Sequence, residues 1–129
     1  MAAVAEVSAS PKELKVRRLV CAVDCGRAVN PNGVRAQVES AAIYALTATV
    51  KDAITVDRGR VVQSNFNDYE MIRMNEAPPI EVHLVPSAEA PTGIGEPTVP
   101  VIAPAICNAI FAATGKRLRR LPIRVEDLA

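Results

Sequence analysis

The sequence predicts an α+β domain, a mixed or antiparallel sheet of about five strands with two main helices packed on one face. Three observations lead there. Residues 2–23 alternate in the manner of two strands. Two stretches, one opening at Asn30-Pro31 and one within residues 98–114, repeat apolar residues at helical spacing. The strands and helices do not follow one another in regular alternation, which favours α+β over a parallel α/β arrangement.

The elements follow in order. Residues 2–9 form a short strand, and Ser10-Pro11-Lys12-Glu13 is a turn. Over residues 14–23, Leu14, Val16, Arg18, Val20 and Ala22 alternate with Lys15, Arg17, Leu19, Cys21 and Val23. The later half of this strand is apolar on both faces, as in a strand covered on both sides. The two strands read as a hairpin. Asp24-Cys25-Gly26-Arg27 is a turn. Asn30 is a helix N-cap with Pro31 at the first helical position. That helix runs to about Val50, with Val34, Val38, Ala41, Ala45 and Leu46 on one stripe.

Residues 54–56 and 60–62 flank Asp57-Arg58-Gly59 as a small hairpin. Residues 63–78 are polar and irregular, and residues 80–85 form another strand. Seven of the ten prolines then fall between Pro78 and Pro104. This stretch is a stiff, ordered loop, because it is apolar and lacks a Ser/Gly bias. The second helix buries Ile102, Ile106, Ile110 and Ala113, with Pro104 near its start or at a kink. Gly115 is the expected residue after its C-cap, and Lys116 and Arg117 sit at the negative end of its dipole.

The length of 129 residues fits one domain spanning residues 1–129. Half of the chain is hydrophobic, yet Tyr44, Phe66, Tyr69 and Phe111 are the whole aromatic set. Alanine, valine and isoleucine must therefore fill the interior by close packing. A formal net charge of +1 gives no global field to draw in nucleic acid or an anionic membrane. No run reaches the roughly 18 apolar residues of a membrane span, and no signal peptide is visible. Three cysteines cannot all pair, so a reducing compartment, and with it a cytoplasmic location, is the expectation.

The stretch Pro91-Thr92-Gly93-Ile94-Gly95-Glu96-Pro97 is the sharpest chemical signal. It sets a carboxylate directly after two glycines, between two prolines and ahead of a helix. Glycines let a backbone approach a bound group closely or adopt positive φ. A carboxylate fixed on such a turn can act as a general base. A phosphate loop fits less well, because Glu96 would repel an anion at the helix N-terminus. Gln37 is an amide in an otherwise apolar helix, either an ordinary surface glutamine or a hydrogen-bonding contact to a ligand. Cys21, Cys25 and the single His83 do not make up a zinc ligand set, so buried thiols and a surface histidine on the same outward face as Glu81 are expected, with no metal ligands. Lys116, Arg117, Arg119 and Arg120 lack interleaved aromatics and read as a solvated or interface-facing helix end.

Four blocks in order resemble a known family. They are residues 23–31 (Val23-Asp24-Cys25-Gly26-Arg27 through Asn30-Pro31), Arg35-Ala36-Gln37-Val38-Glu39, Gly93-Ile94-Gly95-Glu96-Pro97, and residues 102–123 from Ile102-Ala103-Pro104 to Leu121-Pro122-Ile123. Together they resemble the C-terminal end of the molybdopterin-binding subunit of the xanthine dehydrogenase and aldehyde oxidase family. The isoquinoline 1-oxidoreductase beta subunits are nearest in wording. Residues 64–69 and Arg73-Met74 match that group too. The resemblance covers about residues 4–123.

The resemblance implies hydroxylation of a carbon beside nitrogen, or oxidation of an aldehyde, with oxygen from water. It implies that Glu96 takes a proton from a hydroxyl held on molybdenum. It also implies that Gln37, Gly93 and Gly95 lie against the cofactor, molybdopterin cytosine dinucleotide. Electrons would leave through iron–sulfur clusters on another subunit. The implied partners are that subunit and the remaining part of the molybdopterin-binding subunit, whose own signal would permit a periplasmic location. The isolated chain is expected to hold no cofactor and to be inactive. Ser40, Ala41 and Tyr44 add bulk where the family commonly has smaller residues. The alternative function is a non-catalytic remnant that self-associates, as a homo-oligomer, or binds a partner.

Overall fold

The computed structural model describes residues 1–51 and 53–129 of the chain. Strand β1 (Ala2–Ser10) and strand β2 (Glu13–Val23) form the expected hairpin, from Ala2 opposite Ala22 to Ser10 opposite Glu13. The Ser10 hydroxyl accepts the N–H groups of Lys12 at 3.3 Å and Glu13 at 3.2 Å, which closes the turn. A bulge between Glu6 and Val7 shifts the register. Helix α1 (Pro31–Val50) begins at the Asn30 cap, whose Oδ1 accepts the Gly33 N–H at 3.0 Å. The short strands β3 (Val56–Asp57) and β4 (Arg60–Val61) make a separate hairpin. Its turn has positive φ at Arg58 and Gly59, the geometry that matches strand twist in a two-residue connection.

Strand β5 (Ile80–Leu84) returns to the main sheet and runs parallel to β2, with Leu19 opposite Ile80 and Val23 opposite Leu84. The order is β1-β2-β5, so the five strands among the described residues divide between a mixed three-stranded sheet and the two-stranded hairpin. Helix α2 (Val99–Thr114) lies against β1, and α1 lies against β5 and α2. The α+β expectation therefore holds, with both helices on one face. Gly115 closes α2 in the left-handed conformation at φ 75. Arg117 stacks 3.6 Å over the Phe111 ring.

The core lies between this face and the helices. Leu19, Cys21 and Val23 of β2 meet Val38 and Leu46 of α1 and Ile102, Ile106 and Ile110 of α2. Among the described residues no aromatic ring is buried, and aliphatic and small side chains fill the core. Each fully buried isoleucine contributes roughly 1.5–3 kcal/mol by leaving water. Val20 and Ala22 on the opposite face are only half-buried. There Arg18 bridges Glu6 at 3.4 Å and Glu81 at 3.7 Å, and Glu81 reaches His83 at 2.6 Å.

Two buried threonines explain how polar residues sit inside α1. Thr47 donates to the Ile43 carbonyl at 2.9 Å and Thr49 to the Ala45 carbonyl at 2.6 Å, which satisfies each hydroxyl within the helix. The Thr49 carbonyl then accepts the Ile123 N–H at 2.7 Å and ties down the C-terminal segment. Lys51, just past α1, holds the irregular stretch through Glu76 at 2.7 Å and Glu70 at 2.9 Å.

Candidate functional site

Strands β2 and β5 are parallel neighbours, and their C-terminal ends lie side by side, with the Val85 N–H bonded to the Val23 carbonyl at 2.9 Å. Loops leaving adjacent parallel strands at that end are where open α/β sheets form binding crevices. Here the first loop is Asp24-Cys25-Gly26-Arg27 and the second leads into Gly93-Ile94-Gly95-Glu96.

The two loops are joined by backbone. Asp24 Oδ1 accepts the Gly26 N–H at 3.0 Å and sets the first turn. The Arg27 N–H donates to the Glu89 carbonyl at 3.0 Å, and the Thr92 N–H to the Cys25 carbonyl at 2.9 Å. Gly26 has φ +71, and a Cβ on it would lie 2.2 Å from the Ala90 carbonyl oxygen. Only glycine allows this approach. Sequence reasoning saw a turn at Gly26 but not its partner, because nothing local points to Ala90.

The contact fixes where the next residues go. Ile94 turns inward and packs against the core, half-buried. Thr98, fully buried, anchors the start of α2, and the Val99 N–H bonds to the Glu96 carbonyl at 3.0 Å. Pro97 and Pro100 flank that step. Gly93, Gly95, Glu96, Pro97, Val99 and Pro100 line an open groove of about 830 Å³. Glu96 is exposed there, and its carboxylate has no hydrogen-bond or ion-pair partner among the described residues. Neither Gly93 nor Gly95 has positive φ, and a Cβ on either would meet nothing within 4 Å. Nothing among the described residues requires glycine at these two positions.

Gln37 lies on the exposed side of α1 and does not line the Glu96 groove. Ser40 and Tyr44, at the helical spacing that shares its face, are exposed beside it, while Ala41 is in the core. The bulk at Tyr44 therefore points away from the core. Cys21 and Cys25 are buried thiols, and burial pushes the Cys21 thiol up. Among the described residues no three His, Cys, Asp or Glu side chains group as metal ligands, and no helix is long and apolar enough to cross a membrane.

Comparison with known proteins gives these loops a context. The family described as the molybdopterin cofactor-binding domain matches residues 1–78. The isoquinoline 1-oxidoreductase subunit beta of Brevundimonas diminuta is 41% identical over 115 residues, covering 89% of this chain and 15% of the relative. A protein of Gluconacetobacter polyoxogenes named membrane-bound aldehyde dehydrogenase (pyrroloquinoline-quinone) is 39% identical over 112 residues, covering 87% of this chain and 14% of the relative. The solved quinoline 2-oxidoreductase from Pseudomonas putida superposes with a TM-score of 0.78 at 21% identity, over 89% of this chain and 16% of that one. This last likeness is one of fold. The chain spans about one seventh of the length of the curated relatives it matches.

Proposed function

The chain belongs to the molybdopterin cofactor-binding domain family, and on that premise we propose that it is one part of a molybdenum hydroxylase. In this reading it carries the general base, Glu96, and part of the cofactor's seat, folds as one domain, and is inactive until other chains complete it. The observation that carries the reading is the groove beside the joined loops. A carboxylate without a partner among the described residues stands at its wall, next to two glycines that none of those residues crowds. Such glycines fit a bulky group from outside that comes close to the backbone.

The cofactor, taken as molybdopterin cytosine dinucleotide, supplies the two-electron oxidation when bound. Glu96 takes up, at a carboxylate oxygen, a proton lost by the water whose oxygen enters an N-heterocycle or an aldehyde. Gly93 and Gly95 leave room for the cofactor, and the Gln37 amide offers it a donor and an acceptor from α1. Glu96 is exposed in the isolated chain, so a group seated over the groove must exclude water from it before it works as a tuned base. The remaining part of the subunit and an iron–sulfur subunit provide that cover and the electron exit.

The test is co-expression with the missing parts of a relative's complex. Glu96→Gln should lower turnover by roughly 10²–10⁴-fold with molybdenum content unchanged, and turnover within threefold of the parent would refute the base. Metal analysis of the same complex separates molybdopterin from the quinone cofactor named for one relative. A second reading, a non-catalytic self-associating module, is favoured by Phe66, Met74 and Val29, which are 90%, 96% and 86% exposed. Sedimentation showing a monomer at high concentration would remove it.

A further inference from the structure

A second groove, of about 510 Å³, lies between α1, α2 and residues 118–121. Its walls are apolar and small, with Ala45 and Ala48 from one helix, Ala103 and Cys107 from the other, and Leu118 and Leu121 across from them. Arg119 and Arg120 also line it. Residues 116–124 hold Lys116, Arg117, Arg119, Arg120 and Arg124 and no acidic residue, although the whole chain is only +1. Two of these cations are engaged: Arg117 with Phe111 and Asn108, and Arg124 with the Lys51 carbonyl at 3.2 Å. Among the described residues the Arg119 guanidinium donates to its neighbour's carbonyl alone, at 3.5 Å, and its charge acts on the nearby Cys107 thiol. Neither Arg119 nor Arg120 forms an ion pair among the described residues.

We propose that this groove seats an apolar segment bearing carboxylates, contributed by the remaining part of the molybdopterin-binding subunit. The walls take apolar side chains and the two arginines take the charge, which this chain does not itself supply. The inference rests on the reading that other parts complete the chain, which spans about one seventh of its relatives' length. It adds a consequence for the base. Val99 and Pro100 line both this groove and the Glu96 groove, and the Val99 N–H is bonded to the Glu96 carbonyl. A segment seated here braces the turn that carries Glu96.

Cys107 reports occupancy, because it is half-buried in the groove while Cys21 and Cys25 are buried in the core. The rate of its modification by a maleimide is measured on the 129-residue chain with two capped peptides, Glu-Leu-Leu-Glu and Lys-Leu-Leu-Lys. The acidic peptide at ten times its dissociation constant should slow the reaction about tenfold, and the basic one should not. Salt should weaken the acidic peptide's protection, and the double variant R119E/R120E should reverse the preference. Each variant's rate is compared with and without peptide, so a changed intrinsic thiol reactivity cancels. Equal protection by both peptides, or protection by neither, overturns the proposal. In the complex with the remaining subunit, Cys107 should be unreactive, and a rate equal to that of the isolated chain overturns the assignment of the segment's source. Protection by the acidic peptide in a chain that never assembles with that subunit would instead count against the split-subunit reading alone.

Discussion

Replacing Gly26 with alanine tests how the Glu96 loop is held. Two effects add. A non-glycine residue in the left-handed region costs about 1–2 kcal/mol, and Gly26 sits there at φ +71. The new Cβ would also lie 2.2 Å from the Ala90 carbonyl oxygen and 2.8 Å from its carbon. Both are backbone atoms, so no rotamer relieves the clash and residues 89–92 must move. That movement breaks the Arg27–Glu89 and Thr92–Cys25 hydrogen bonds, each worth about 0.5–1.5 kcal/mol net. The sum is roughly 2–5 kcal/mol. With a urea m-value of about 1–3 kcal/mol/M, a loss near the middle of that range lowers the midpoint by roughly 2 M. Amide exchange at Arg27 and Thr92 separates a loop that swings free from a chain that unfolds as a whole. Gly95→Ala is the control, because its Cβ meets nothing within 4 Å, and it should stay within about 0.5 kcal/mol of the parent. An unchanged midpoint together with full protection of both amides in Gly26→Ala would refute the account.

Other expectations concern the core and the irregular stretch. Ile106→Ala, at a position 0% exposed, should lose about 2–5 kcal/mol in the same titration, and a loss under 1 kcal/mol would show that the interior collapses to fill the space. Asp68 is held below its usual value of 3.8 by the Asn65 and Ser64 N–H groups, and Glu76 below 4.5 by Lys51. Both are lowered in the folded chain, so their contribution is complete above those ordinary values and is lost as pH falls through the folded ones. Protection of the Ser64 and Asn65 amides, taken relative to their intrinsic exchange at each pH, should therefore fall below about pH 4, and protection that persists to about pH 2 would contradict the carboxylate's role. Lys51 is shifted the other way, upward from 10.5 by Glu76 and then Glu70. Its contribution is present below that value and fades as pH rises through the folded one.

Both helices were legible because their ends carry their own chemistry. Asn30-Pro31 writes the start of α1 and Gly115 the end of α2, and each requires only neighbouring residues. The β1–β2 hairpin was legible for the same reason, from alternation around one turn. The parallel pairing of β2 with β5 was not, since an apolar alternation says which face is buried and nothing about which strand lies alongside. The division of five strands into two sheets follows from that pairing. Thr47 and Thr49 carry no sequence signal for burial, yet both bond to carbonyls of their own helix and sit in the core. At the candidate site, the turn bearing Glu96 was visible as residues. The backbone contact that aims it, Gly26 against Ala90, joins segments far apart in the chain.

The prolines around Glu96 have a thermodynamic consequence. Pro97, Pro100 and Pro104 bracket and enter the start of α2, and each fixes its own φ near −65° whether or not the chain is folded. Fewer conformations are therefore open to this stretch before folding, and less disorder remains to be lost when a ligand or a neighbouring chain closes over it. Preorganisation of this kind shifts binding energy away from ordering the loop and toward contact with the guest. Glu96 sits on this stiffened stretch, directly before Pro97.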